Sequence, residues 1–384
     1  MRPLFLYYLI CKLTSKCYHS GMEKYKVLLI GCGRVAVKHL KAIKKNSDRV
    51  ELAALVDVSE EAAKKLDPSV PYFKDYKEAI TTVKPDIVSV MVPSGLHFEI
   101  AKFALENGCN LLLEKPMTMS SSQSRDIYEL SVKTGKKLAM GHIYRYFPIV
   151  GLVHDDINEG KFGKVTHGSI FVRWGHGDDY YGSAAWRGTW KSDGGALMNQ
   201  TIHAIDLLVW LMGSKPVEAV SMISQRRAHI EAEDLGMAVL KMDDGSLASI
   251  EGTTCTSDKD KAAEFSVFCE NGVITMGIRQ GKPSLNIRDG NGKKLNGKYI
   301  RRQIKKGGIS SLLGALNPHT AIYTDLIDSI ANDRQPIADA YAGYTSVDNL
   351  MGIYKSAKLH QTVKLPLEEE FSSIDMSGYF EGEN

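Results

Sequence analysis

Residues 25 to 57 spell one complete unit of a parallel sheet, and that unit constrains the rest of the chain. YKVLLIG (25–31) is an apolar run of strand length, Val35 to Lys45 has helical spacing, and ELAALVD (51–57) is a second apolar run. Strands that are apolar on both faces and joined by a helix pair in parallel and must be covered on both sides. The turn between the first strand and its helix is GCGRVA (31–36). Gly31 permits a tight turn, Gly33 lets a pyrophosphate approach the N–H groups at the helix N-terminus, and Ala36 takes the small position where helix meets sheet. Arg34 and Val35 complete this predicted dinucleotide cradle. Asp57 ends the second strand, where a carboxylate accepts both ribose hydroxyls of NAD and repels a 2′-phosphate. No basic residue immediately follows Asp57, so NAD is expected over NADP.

The alternation continues to residue 142. Helices are predicted over Ser59–Leu66, Lys74–Thr81, His97–Asn107 and Ser120–Thr134, with strands at 85–93, 109–116 and 136–142. This makes residues 25–142 a Rossmann dinucleotide-binding domain in an α/β chain. VPSGLH (92–97) and LLEKP (112–116) close two of its strands, at the edge where open parallel sheets bind ligands. Pro93, Leu96, His97, Glu114 and Lys115 are therefore expected on the cofactor side. A lysine there is either a surface residue or a fixed cation that steadies an alkoxide or carries a proton.

Beyond residue 142 the pattern changes. A helix over Phe147–Asn158 leads into the strand KVTHGSIFVRW, and further strands are predicted around 216–227, 234–242, 245–254 and 262–268. DDG (243–245) and ENG (270–272) are hairpin turns. Helices over 320–332 and 346–358 precede Pro366. Residues 143–366 thus read as an α+β substrate-binding and oligomerisation domain on a large, mostly antiparallel open sheet, followed by a loose polar tail at 367–384. Within it, GGALMNQTIHAIDLLVWLMG (194–213) is an apolar helix interrupted by Asn199, His203 and Asp206 on one stripe.

Composition narrows the function classes. At 384 residues the chain exceeds what one core usually supports. The net charge is +3, concentrated in residues 1–26, so the remainder carries no footprint for nucleic acid. Residues 279–306 hold ten Lys/Arg and one Asp, which reads as a solvated loop-and-strand surface or as a rim for an anion. Six scattered cysteines without a CxxC pair argue against structural zinc and disulfides and fit a reducing, cytoplasmic setting. Residues 1–24 are too short an apolar run for a membrane span and have no evident cleavage site; they read as a disordered leader or an upstream start, with Met22 the natural one.

GCGRVAVKH, VPSGLH, EKP and GGALMNQTIHAIDLLVWLMG together resemble the Gfo/Idh/MocA family of NAD(P)-dependent oxidoreductases over residues 25–366. WRGTW (186–190), followed by DGGALMNQTIH, resembles more narrowly the members that act on nucleotide sugars, such as UDP-N-acetylglucosaminuronate 3-dehydrogenases. The resemblance implies Lys115 and His203 as the catalytic pair. Asn199 stands where polyol-oxidising members carry an acid, and it can hold a sugar hydroxyl. Tyr144 and Arg145 enter the second domain, with Arg145 placed to reach the cofactor or an anionic substrate. Trp186, Arg187 and Trp190 are substrate-loop candidates or aromatic packing; Arg227 and His229 are weaker candidates. Asp206 either orients the imidazole or makes a structural bond.

The implied reaction passes a hydride between NAD and a secondary hydroxyl of a sugar, with C3 of a UDP-N-acetylhexosamine uronate as the specific expectation. A free sugar, cyclitol or glycoside is the alternative substrate. A non-catalytic NAD-binding regulator is the alternative class, and it would need neither Lys115 nor His203. Histidine has the better reference pKa for a base, about 6.5 against about 10.4 for lysine, although burial could reverse the roles. No metal is required, because hydride chemistry belongs to the cofactor. The family resemblance also implies a homodimer or homotetramer joined through the open sheet face.

Overall fold

Six short strands pair in parallel in the first half of the chain. They are β1 (Tyr25–Ile30), β2 (Val50–Val56), β3 (Tyr72–Phe73), β4 (Ile87–Val90), β5 (Asn110–Leu113) and β6 (Leu138–Met140), in the order β3-β2-β1-β4-β5-β6. The computed structural model describes residues 23–226 and 230–381. The expected leader falls outside these except for its last two residues, and Arg227 and His229 also fall outside.

Successive strand residues feed opposite cores. Val27 and Leu29 belong to one apolar cluster, Leu28 and Ile30 to the other. That is why β1 reads as continuously apolar. Helices α1 (Ala36–Lys45), α2 (Glu60–Leu66), α3 (Tyr76–Val83), α4 (His97–Glu106) and α5 (Ser121–Thr134) connect the strands. The strand order reverses between β1 and β4, which run parallel, and this opens the ligand crevice at their C-terminal ends. Asp57, VPSGLH and EKP all sit just past strand ends on that edge.

The second sheet has eight strands: β7 (Val165–Arg173), β8 (Pro216–Ser224), β9 (Leu235–Met242), β10 (Leu247–Thr253), β11 (Ala262–Cys269), β12 (Gly272–Arg279), β13 (Lys282–Asp289) and β14 (Val363–Lys364). Their order is β13-β12-β11-β7-β10-β9-β8-β14, antiparallel except for the β7–β10 pair. Before the sheet is complete come α6 (Val150–Asn158), the short α7 (Asp178–Tyr181) and α8 (Ile202–Met212), which lies against β7 and β11. The opposite face carries exposed Val220, Met222, Met237 and Val239.

The structure departs from expectation in several places. The basic run at 279–306 is mostly β13 plus α9 (Asn296–Gly307), and Arg302 is committed to Asp156, with which Lys161 and Tyr299 also bond. Helix α10 (His319–Ala331) returns to the first sheet, where Ile322, Tyr323, Leu326 and Ile327 join the cluster of Val27 and Leu29. Helix α11 (Ala340–Leu359) starts six residues before the expected Ser346, capped by the Asp339 side chain, and packs against α5 and β8. The two sheets are therefore tied by helices that cross back.

The described part of the tail, 367–381, is also not loose. Phe371, Met376 and Phe380 are buried, and the Ser121 amide donates to Phe371 O at 3.0 Å. Few but well-placed apolar residues anchor a segment whose average is polar. No helix among the described residues is long and apolar enough to cross a membrane.

Candidate active site

The glycine turn has the geometry its sequence implies. Gly31 has φ +94°, and a Cβ there would lie 2.6 Å from Met91 O, so only glycine fits. A Cβ on Gly33 would meet nothing within 4 Å. Open space therefore lies over the start of α1, whose first N–H groups have no intrahelical acceptors. Arg34 and Val35 are exposed beside it. The Asp57 carboxylate is fixed by the Cys32 amide at 2.7 Å and the Ser59 amide at 2.9 Å, one on each oxygen. Each oxygen keeps a lone pair for a ribose hydroxyl. Burial, then the Asp57 charge, pushes the Cys32 thiol up to about 12, so it stays a neutral neighbour. Phosphate cradle and ribose acceptor together fit NAD. Pro93 and Leu96 are exposed on the same rim. His97 is not: its ring nitrogens face Pro116 O at 2.7 Å and Val92 O at 3.0 Å, so it clamps two loops together from behind.

Glu114 and Lys115 point to different tasks. Glu114 Oε1 accepts from His39 Nε2 at 3.0 Å and from His319 Nε2 at 3.2 Å, a hydrogen-bonded triad that joins β5 to α1 and α10. Although burial opposes ionisation, these two rings hold the Glu114 carboxyl well below its usual range. Lys115 reaches across the cleft and donates from Nζ to Asn199 O at 2.7 Å and Asn199 Oδ1 at 3.2 Å. Burial lowers its pKa, while Glu114 and Asp193 act to hold it up.

The helix expected over 194–213 is not uniform. Ala196–Thr201 form a π-helical turn and only Ile202–Met212 are α-helical. The buried Glu233 side chain accepts the Leu197 amide at 2.8 Å, Glu233 O accepts the Ala196 amide at 3.0 Å, and Thr201 Oγ1 donates to Ala196 O at 2.9 Å. A π-turn breaks the α-helical spacing. It delivers both Asn199 oxygens to Lys115, so Asn199 and His203 do not share one simple stripe with Asp206.

His203 is half-buried, with its ring 5.3 Å from Tyr144 and 5.9 Å from His142. Its Nδ1 has no partner among the described residues. Burial, then the Lys115 charge, pulls its pKa well below the ordinary histidine value. Asp206 does not orient this ring. It forms a buried two-point pair with Arg145, at 2.8 Å from Nε and 2.6 Å from Nη2. Arg145 also donates to Ile337 O at 2.9 Å and lies over the Trp210 ring. The expectation that Arg145 reaches cofactor or substrate is therefore corrected: its fork is filled by Asp206 of α8 and by Ile337 O in the segment before α11.

The substrate-loop candidates divide. Trp190 is wholly buried against Tyr354 and belongs to the core. Trp186 and Arg187 are half-buried in the loop. The Arg187 guanidinium is held between the Trp186 and Tyr180 rings, at 4.5 Å and 4.3 Å, and its Nε donates to Ser183. His176 stacks on Tyr180 at 3.7 Å and lies 3.2 Å from Gln200 Nε2. Sequence reasoning missed Tyr180, His176, Gln200 and Asp193. Of these only Asp193 carries a local signal, an acid directly before a glycine pair that opens a helix. It is 5% exposed, accepts the Gly188 amide at 2.8 Å and bonds the Asn199 side-chain amide.

Comparison with known proteins agrees with this geometry. Residues 25–142 match the model of the oxidoreductase family with an NAD-binding Rossmann fold, and residues 152–275 match the GFO/IDH/MocA C-terminal domain. The D-glucoside 3-dehydrogenase of Escherichia coli K12 is 24% identical over 363 residues, covering 88% of this chain and 97% of that protein. The WlbA dehydrogenase of Bordetella pertussis, solved with NADH and UDP-GlcNAcA, superposes with TM-score 0.78 at 26% identity over 90% of this chain and 100% of that one. The Chromobacterium violaceum WlbA dehydrogenase, with the same two ligands, gives 0.80 at 27% over 91% and 98%. With the two family models matching residues 25–142 and 152–275, the chain belongs to the Gfo/Idh/MocA family of NAD-binding oxidoreductases.

Proposed function

We propose that this protein oxidises a secondary hydroxyl of a sugar with NAD, and that the sugar is a nucleotide-linked hexosamine uronate attacked at C3. The observation that carries the reading is the meeting of Lys115, from the cofactor edge, with Asn199 of the π-turn that leads directly into the helix bearing His203. Bound NAD supplies the hydride acceptor at the C4 of its nicotinamide. Lys115 donates a hydrogen bond to the substrate oxygen and stabilises the negative charge that grows there as the hydroxyl proton leaves. His203 is kept neutral by burial and takes that proton on a ring nitrogen. Asp57 selects NAD by accepting the ribose hydroxyls. Arg187, half-buried between two rings of the loop, is placed to meet an anionic part of the substrate.

The two WlbA dehydrogenases, which span nearly their whole length here and hold UDP-GlcNAcA, support the nucleotide-sugar assignment. The full-length match to a D-glucoside 3-dehydrogenase supports a second reading, a glycoside oxidised at the same position. The discriminating assay offers NAD with UDP-N-acetylglucosaminuronate, simple glucosides, free hexoses and inositols, read by NADH absorbance. The expected outcome is turnover of the first; turnover of glucosides alone selects the second reading. In the Lys115→Ala and His203→Ala proteins, kcat should fall by about 10²-fold or more while NADH binding persists. Parental turnover in either would remove that residue from the mechanism. We also assign the open face of the second sheet as the contact between copies in a homodimer or homotetramer.

A further inference from the structure

We propose that Asp193 is a positioning residue: through the Asn199 carboxamide it keeps the Lys115 ammonium charged and aimed at the substrate. The inference rests on the assignment of Lys115 to the reaction site, and it adds a carboxylate that the sequence had not placed there.

The argument begins with donor and acceptor accounting. A carboxamide has one accepting and one donating end. The donating end of Asn199 faces a carboxylate oxygen of Asp193, so its carbonyl must face Lys115, as it does at 3.2 Å from Nζ. The other Asp193 oxygen accepts the Gly188 amide at 2.8 Å, so the carboxylate cannot swing away. The chain therefore runs in one sense only, from carboxylate through amide to ammonium. Lys115 gives two of its three N–H groups to Asn199 O and Oδ1, which leaves one for the substrate oxygen. A lysine on a four-carbon stem is otherwise free to rotate. This bridge fixes it.

The charges around the bridge make the Asp193 contribution legible. Lys115 is faced by Glu114 from its own strand end, by Asp193 and Arg187 from the substrate loop, and by His203, His142 and His97 from the helices and loops behind it. Glu114 is already committed to His39 and His319. Asp193 is thus the second carboxylate acting on the ammonium, and it is buried where solvent screens little. Burial raises its own carboxyl, and Lys115 opposes that rise. Replacing the charge by a neutral isostere removes a partner from Lys115 and nothing from the cofactor cradle.

The test reads Lys115 directly and needs no substrate. The whole protein is labelled with a trace of acetic anhydride across a pH series, and acetylation at Lys115 is followed by mass spectrometry. In Asp193→Asn the labelling midpoint should move to lower pH by about one pH unit, a tenfold loss of proton affinity. The double variant Asp193→Asn with Asn199→Asp returns a carboxylate one bond network closer, and its midpoint should recover to the parental value or above. A D193N midpoint that stays in place, or a double variant that remains as low as D193N, overturns the proposal. NADH fluorescence and thermal melting establish that each variant is folded. If D193N does not fold, the double variant alone decides: a midpoint below the parental one overturns the proposal. Absence of sugar turnover in the parental protein would instead sink the functional reading and leave this measurement standing.

Discussion

At the scale of single residues, the two proposed proton-handling groups are set by opposite balances. Burial acts against the charged form of both, but Glu114 and Asp193 favour the charged Lys115, whereas the largest charge effect on His203 comes from Lys115 and opposes its protonation. The histidine must be neutral to accept a proton. Because its pKa lies below the ordinary 6.5, it remains neutral to a lower pH than a solvated histidine would. The acid limb of the kcat/KM profile should therefore fall below pH 6.5, and it should be absent from the residual activity of His203→Ala. A limb at or above 6.5 would assign that ionisation to a different group. The placement of Asp57 and Lys115 just past strand ends and of His203 on an apolar helix was readable in the sequence because strand ends and helix periodicity fix where such residues stand. Arg145 was misread for a physical reason: sequence places a guanidinium on a segment, but only the fold reveals that Asp206 and Ile337 O fill its fork.

At the scale of elements, the π-turn before α8 decides the site, and it was invisible in the sequence. Apolar periodicity is nearly the same for α and π geometry over six residues, so ALMNQT gave no warning. What shapes the turn is a group far along the chain, the buried Glu233, which accepts from Leu197 and from the Tyr354 hydroxyl at 2.9 Å. Burial, reinforced by Asp234, raises the Glu233 carboxyl to about 8. The sign follows from linkage. Between about pH 4.5 and 8 the unfolded chain has lost this proton while the folded protein keeps it, so folded stability declines as pH rises through that window. The total cost is on the order of a few kcal/mol. Glu233→Gln keeps the accepting oxygen without the ionisation, so its melting temperature relative to the parent should be more favourable at pH 8 than at pH 5. An equal difference at both pH values would mean that Glu233 is ionised in the folded state. The GCGRVA turn, by contrast, was fully legible, since its requirements lie within six consecutive residues: a left-handed Gly31, a bare Gly33 and a small Ala36.

At the scale of the whole molecule, the α/β half followed by an α+β half was legible because each sheet draws its strands from a separate stretch of sequence. The return of α10 to the first sheet was not, since an amphipathic helix carries no label for the surface it will cover. The same ambiguity bears on the open face of the second sheet. Strand β9 alternates Gly236, Ala238, Leu240 and Met242 inward with Met237 and Val239 outward, and β8 adds Val220 and Met222 on the same side. These four outward apolar residues stand together with Phe171 and Leu235 around a groove of about 680 Å³. A sheet face turned to water carries polar residues outward, and a contiguous exposed apolar patch is the kind of surface that contacts a partner. Met222 is 83% exposed, so Met222→Asp costs little within one chain. In an assembly it would place a charge in an apolar interface, at a cost of several kcal/mol. Light scattering after size exclusion should give a multiple of 42.4 kDa for the parent and the monomer mass for the Met222→Asp, Met237→Asp protein, with circular dichroism unchanged. A parent that is already monomeric at micromolar concentration would refute this use of the face.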